Sequence, residues 1–204
     1  MKTWVALSSS SWRDYSFITP ISCLFWRDLI GFDPICLLVG DWTGNRSKVA
    51  FQALQHFGFH WHQVGKIDGF EDSTIAQNVR QHAAAIGTSN ILLDDDWLLP
   101  TDADLWPLKK SFYQQHVGSS LEAVAYYSNG DHFVSKEDVL EKAKSGTPYQ
   151  TMPTCHIAMR VKTWRELYDI GPNESIEAAT SRTLSSWLVP KLQGKSASQA
   201  AWEA

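Results

Sequence analysis

Two aspartates one residue apart close an apolar run in Leu98-Leu99-Pro100-Thr101-Asp102-Ala103-Asp104. A charge taken from water needs a partner, so acids at a strand end are either solvated in a turn or held by a cation. Asp-x-Asp in that position can present two hard oxygen donors. Mg2+ and Mn2+ favour such donors and commonly share their coordination between one or two carboxylates and substrate phosphates. The spacing alone leaves the solvated turn open. A second pair, Asp94 and Asp96 in Asp94-Asp95-Asp96, follows a shorter apolar run. Three adjacent acids favour a solvated turn or helix cap, so Asp102 and Asp104 are the preferred candidates.

Other residue types could serve the same chemistry. Gln77 and Arg80 lie three apart in a helical stretch and share a face. An arginine there can pair with phosphate, brace an aspartate, or stay solvated. His156, in an apolar strand, is either a satisfied core residue or a third metal ligand turned toward the carboxylates. The remaining six histidines show no zinc-binding spacing. Ser8, Ser9 and Ser10 close the first strand and could offer hydroxyl and N–H groups to a nucleotide, with Trp12 or Tyr15 stacking on its base. Neither the G-x-G-x-x-G fingerprint nor a G-K-[ST] loop is present. Asp131 and Glu174 are candidate bases for an acceptor hydroxyl, although Asn173-Glu174-Ser175 also reads as a helix start, where an acid favours the dipole.

The elements that must position these residues follow from periodicity. Strands are expected at 3–7, 35–41, 59–67, 97–106, 121–129 and 151–161, and helices at 17–30, 45–57, 72–87, 162–168 and 175–188. Strand and helix alternate four times in the first half, which implies a parallel sheet covered by helices on both faces. A chain of 204 residues fits one domain. We expect it over residues 1–190, with a nucleotide-binding half near 1–108, an acceptor half near 109–190, and a flexible tail at 191–204.

Composition narrows the partners. A net charge of −4 with no basic run argues against nucleic acid. Three widely spaced cysteines form neither a disulfide framework nor a zinc site and suit a reducing compartment. The most apolar region, 17–40, is cut by Pro20, Arg27, Asp28, Asp33 and Pro34, so no transmembrane segment is expected and the protein reads as cytosolic. Ten tryptophans suit a large core and also sites that stack on rings or sugars.

Taken in order, the Ser-ended first strand, FITPISCLFWRDLIGFDPICLLVGDW, DSTIAQNVRQHAA, WLLPTDADLWPL and MPTCHIAMRVKTWREL resemble the GT-A class of nucleotide-sugar glycosyltransferases. The likeness is strongest to the small amino-terminal glycosyltransferase domain of chlorella viruses, over roughly residues 3–170, with TIAQNVR and TDADLWPL its most specific parts. It implies a Rossmann-like domain with a mixed, mostly parallel sheet. Asp102 and Asp104 would hold Mn2+ or Mg2+ against a donor diphosphate, with UDP the favoured nucleotide and a glycan or other hydroxyl the acceptor. His156 would stand where some members place a further ligand. Gln77 and Arg80 would line the donor pocket, and Ser8, Ser9 and Asp41 would lie near the nucleoside. A viral member would work in the host cytoplasm. Two other readings compete. A haloacid-dehalogenase-type phosphatase would carry D-x-D on the first strand followed by Thr or Val, whereas here it follows the fourth strand and precedes Leu105-Trp106. A non-catalytic sugar-binding module would not need both aspartates.

Overall fold

The run Trp4-Val5-Ala6-Leu7-Ser8-Ser9-Ser10 is buried at every position, which a strand achieves only in mid-sheet with both faces covered. The structure, a computed structural model, describes residues 1–89, 91–114, 120–126 and 157–188. In it β1 (Thr3–Ser10) lies between β2 (Asp33–Val39) and β4 (Trp97–Asp102), both parallel to it. β3 (His60–Val64) adds in parallel outside β2 and, as an edge strand, is mostly exposed. Beyond β4 come β6 (Ile157–Arg160) and β5 (Ala123–Ala125), and β6 is antiparallel to both its neighbours. The order β3-β2-β1-β4-β6-β5 makes a mixed, mostly parallel six-stranded sheet: β1 to β4 are parallel, as the alternation of elements predicts, and the mixed whole is what the resemblance implies.

Side chains of β1 alternate between two apolar layers. Val5 and Leu7 join Trp26, Ile30 and Leu54 beneath α1 (Arg13–Leu24) and α2 (Lys48–His56). Trp4 and Ala6 face Ile75, Val79, Trp164 and Ile176. Those come from α3 (Asp72–Val79), α5 (Val161–Leu167) and α6 (Ile176–Thr183) on the other side. A short α4 (Lys110–Tyr113) follows β4. Five tryptophans (4, 26, 42, 97 and 164) are core residues, so half of the ten are accounted for by packing.

Several boundaries differ from expectation, with local causes. The first helix begins at Arg13 and passes into a wide π-helical turn, Phe25–Ile30, that ends at Gly31. The second helix starts at Lys48 rather than Asn45 because 41–47 form a turn held by Asp41. The helix expected over 72–87 is α-helical only to Val79 and tightens to a 3-10 helix over Arg80–Ser89. There the His82 ring meets the Asn78 carbonyl (3.2 Å), a side-chain bond that competes with the helical ladder. β4 stops at Asp102 because Leu105 N–H bonds back to the Asp102 carbonyl (3.2 Å) and makes a turn of Ala103-Asp104. The outer ends of the fifth and sixth expected strands, and the expected tail, lie outside the described residues.

Asp94-Asp95-Asp96 forms the expected turn, with Asp94 and Asp95 exposed, but its third acid is not solvated. Asp96 is 2% exposed and accepts from Lys2 N–H (2.7 Å), Trp4 Nε1 (3.1 Å) and Leu93 N–H (3.3 Å), tying the start of β4 to the start of β1. Asp94 pairs with Arg165 and Asp95 with Lys162. Cys23 and Cys36, 13 residues apart in sequence, meet in the core with sulfurs 3.2 Å apart, and burial pushes the Cys23 thiol well up. Among the described residues no helix is long and apolar enough to cross a membrane.

His82 gives the fold an acid-sensitive point. It is fully buried between the 3-10 helix and α6, with Nε2 2.9 Å from Thr183 Oγ1. Desolvation lowers its pKa to about 4; the Asn78 carbonyl opposes the shift, Arg182 adds to it, and Glu174 opposes it. The folded form therefore favours the neutral ring. Its stability contribution is complete above the ordinary pKa near 6.5 and is lost as pH falls from there through about 4. Up to about 3 kcal/mol is at stake. Urea unfolding across pH 7.5–4 should show this loss, and His82→Gln should flatten the profile; an equally steep profile in the variant would assign the acid sensitivity to other groups.

Candidate functional site

Because β1 to β4 run parallel, their carboxyl ends gather on one edge of the sheet. The chain leaves β1 for β2 on one side, while β4 joins on the other. Such a reversal opens a crevice beyond the strand ends, where α/β sheets bind ligands. In register, Asp102 stands opposite Ser8 and Val39 opposite Ser10, so the D-x-D turn borders this crevice.

Arg80, at the C-terminal cap of α3, ion-pairs through Nη1 with Asp102 Oδ1. Its side chain is 13% exposed against 38% for Asp102, so the pair sits half sunk in the protein. Arg80 Nε is buried with no partner among the described residues. Of the roles open to Arg80, bracing an aspartate is the one observed. Asp104 is exposed on the turn, with no side-chain partner among the described residues. Ser22 of α1 donates its hydroxyl to the Ala103 carbonyl, pinning the turn from the other side.

Toward β2 and β3 the crevice widens into two open depressions that share Asp41. One, about 520 Å3, is bordered by Gly40, Gln63 and Lys66 at the ends of β2 and β3 and by Asp72 at the start of α3. The other, about 360 Å3, lies between Ser11-Trp12 and Asn45-Arg46. Asp41 Oδ1 accepts from Thr43 N–H (2.9 Å), Thr43 Oγ1 (2.7 Å) and Gly44 N–H (3.1 Å). The Thr43 hydroxyl leads in holding its carboxyl below the usual range. Gly40 has φ +83°, and a Cβ there would stand 2.5 Å from Asp72 Oδ2 and 2.8 Å from Ser11 Oγ. Only glycine lets the chain turn so close to both groups.

The other predicted residues fare unequally. Ser8 and Ser9 are strand residues with buried hydroxyls that donate to the Ala76 and Ser10 carbonyls, so they do not offer hydroxyls to a nucleoside; Ser11 takes the rim position. Gln77 is exposed on α3, just short of a turn before Arg80. Glu174 is engaged by Arg182 through both oxygens (2.9–3.1 Å) and by Gly171 N–H (3.0 Å). The Arg182 hydrogen bond leads in lowering its pKa. That engagement is the work of a structural anchor before α6, and nothing around Glu174 favours a base. Asp131 and His156 lie outside the described residues. Sequence reasoning missed Ser11 and Lys66, polar positions just past strand ends, and Arg46 and Asp72, which stand before and at the start of the following helices; Gly40, directly after the apolar run of β2, is the signal that marks this rim.

Among the described residues no three His, Cys, Asp or Glu side chains group as a metal site. The donors present are Asp104 and the Asp102 oxygen not paired with Arg80. Two hard oxygens fit a cation that completes its shell with phosphate and water, and they do not fit one needing an all-protein cage.

Two stability outcomes follow. Asp102→Ala strips the counter-charge from a mostly buried guanidinium and should cost about 1–3 kcal/mol, whereas Asp104→Ala should stay within about 0.5 kcal/mol. Equal costs by urea unfolding would contradict the asymmetric burial of the pair. Gly40→Ala, strained by its positive φ by about 1–2 kcal/mol and crowded by Asp72 and Ser11, should lower the melting temperature more than Gly58→Ala, whose φ is +69° but whose Cβ would meet nothing within 4 Å.

In sequence comparisons, no protein-family model matches the chain and no curated protein matches it.

Proposed function

We propose that the protein is a metal-dependent glycosyltransferase of the GT-A kind, moving a sugar from a nucleoside diphosphate, UDP most readily, to a hydroxyl acceptor. One observation carries the reading: the D-x-D turn lies at the carboxyl end of β4, beside β1 where the sheet reverses, with Asp102 braced by a half-sunk Arg80 and Asp104 exposed. The mixed sheet order and the resemblance to the chlorella-virus domains agree with it. Free, buried thiols at Cys23 and Cys36 suit work in a cytoplasm.

Asp104 and the outer oxygen of Asp102 would hold Mn2+ or Mg2+, joined by His156 if that residue turns toward them. When bound, the cation supplies Lewis-acid stabilisation of charge developing on a leaving diphosphate. Arg80 holds Asp102 in one orientation and adds a fixed positive charge beside it in a sheltered setting, where preorganised charge counts most. The depressions at Gly40-Asp41 and Ser11-Trp12 give the nucleoside a place along the same rim, and Lys66 and Arg46 bring cationic side chains to an acidic protein. Gln77 extends the polar face of α3 toward the donor. Asp131 is the base candidate that keeps its place in the scheme. A nucleophilic carboxylate, which a phosphatase would need, is a poor match for Asp102 with one oxygen tied to Arg80.

Calorimetric titration of UDP with and without Mn2+ tests this directly. Binding should require the metal and be lost in the Asp102→Asn/Asp104→Asn double variant, while several UDP-sugars are screened for Mn2+-dependent hydrolysis. Metal-independent UDP binding, or none to any nucleoside diphosphate, would sink the reading.

A further inference from the structure

Trp106 stands two residues past Asp104 and is held unusually firmly for an exposed aromatic. Its indole Nε1 donates to Ser22 Oγ (2.9 Å), and the same buried Ser22 hydroxyl donates to the Ala103 carbonyl in the middle of the D-x-D turn. The ring is also stacked on Phe25, with centroids 5.6 Å apart and planes 2° from parallel. Yet the residue is 46% exposed. One side is spent on Phe25, the polar handle is satisfied within the protein, and what remains open is flat apolar ring.

That combination differs from the other described exposed tryptophans. Trp61 packs edge-on against Phe51 (5.1 Å) on the far edge strand β3, away from the D-x-D turn. Trp12 lines the depression by Asp41. Only at Trp106 do a hydrogen bond and a ring stack fix the plane beside the carboxylates. A ring already fixed in place loses little freedom when a ligand covers it. The Ser22 hydroxyl joins the indole N–H to the Ala103 carbonyl, so the edge of this ring lies beside the D-x-D turn.

We propose that Trp106, pinned by Ser22 and Phe25, is a stacking platform for the pyranose ring of the acceptor glycoside. An uncharged sugar suits it on two counts: its C–H face matches an apolar ring that needs no hydrogen-bond partner, and an anion would face the carboxylates of Asp102 and Asp104. The identification of the ligand as an acceptor rests on the glycosyltransferase reading; the platform itself rests on the ring geometry.

The test uses the whole chain with 15N-labelled indoles. Trp106 is assigned as the cross-peak missing in Trp106→Phe, and methyl glucoside, galactoside, mannoside and N-acetylglucosaminide are titrated in turn, with glycerol as the ringless control. At least one glycoside should shift the Trp106 signal where glycerol does not. Trp106→Ala should weaken that binding about ten-fold or more, the scale of one aromatic contact, and Trp106→Phe, which keeps a ring over Phe25, by less. Circular dichroism and melting curves check that the variants fold. No shift with any of the four sugars, or binding that survives Trp106→Ala in a folded variant, overturns the platform. Loss of Mn2+-dependent UDP binding has a different meaning: shifts by sugar without it would keep the platform and remove the transferase.

Discussion

Burial of β1 on both faces and along both edges is the constraint from which the rest of the molecule follows. A strand so enclosed must recruit parallel neighbours on each side, and the crossovers that deliver them put α1 and α2 on one face and α3 on the other. Parallel strands then collect their carboxyl ends on one edge. The loops that leave that edge are free to carry function because the strands beneath them are fixed. At the opposite edge Asp96 performs the complementary task, locking the start of β4 onto Lys2 and Trp4. The two D-x-D sequences are therefore divided by direction along one strand: the upstream one is masonry, and the downstream one faces the crevice.

The balance of charge at the crevice is unusual for an acidic chain. Asp102 is partly neutralised by Arg80 before any ligand arrives, so the rim presents less negative charge than its sequence suggests. The pairing also accounts for where Arg80 sits. A guanidinium this sheltered needs a carboxylate within reach, and the tightening of α3 at that residue places it at the helix end, over β4 rather than toward solvent.

Much of this was legible in the sequence. ICLLVG and WLLPT announce strands covered on both faces, and DSTIAQNV announces the helix that carries Arg80, because burial imposes strict patterns on such segments. What was not legible depended on single contacts between distant residues. Nothing local distinguishes Ser8 and Ser9, whose hydroxyls turn into the protein, from Ser11, which lines the rim; the strand simply runs three residues further than its apolar pattern. Glu174 read as a candidate base or as an acid at a helix start, and the choice was not legible because Arg182, eight residues on, becomes its partner only once the helix that starts beside it has formed. The fate of Asp94-Asp95-Asp96 likewise depended on partners at Lys2, Lys162 and Arg165, spread across the whole chain.

The wide turn at Phe25–Ile30 carries a consequence for how this surface can vary. Gly31 N–H reaches back five residues to the Trp26 carbonyl (3.0 Å), so the helix here holds one residue more than an ordinary turn. Each residue of an α-helix advances the side-chain direction by about 100°. The wide turn absorbs its extra residue without rotating what flanks it. Losing one residue here would therefore relax it to an ordinary turn with Phe25 on the Trp106 ring and Trp26 and Ile30 still facing the core, whereas the same loss in regular helix would rotate one side against the other. The extra residue thus makes this turn, rather than α1 before it, the place where the chain can lose a residue without unseating either contact.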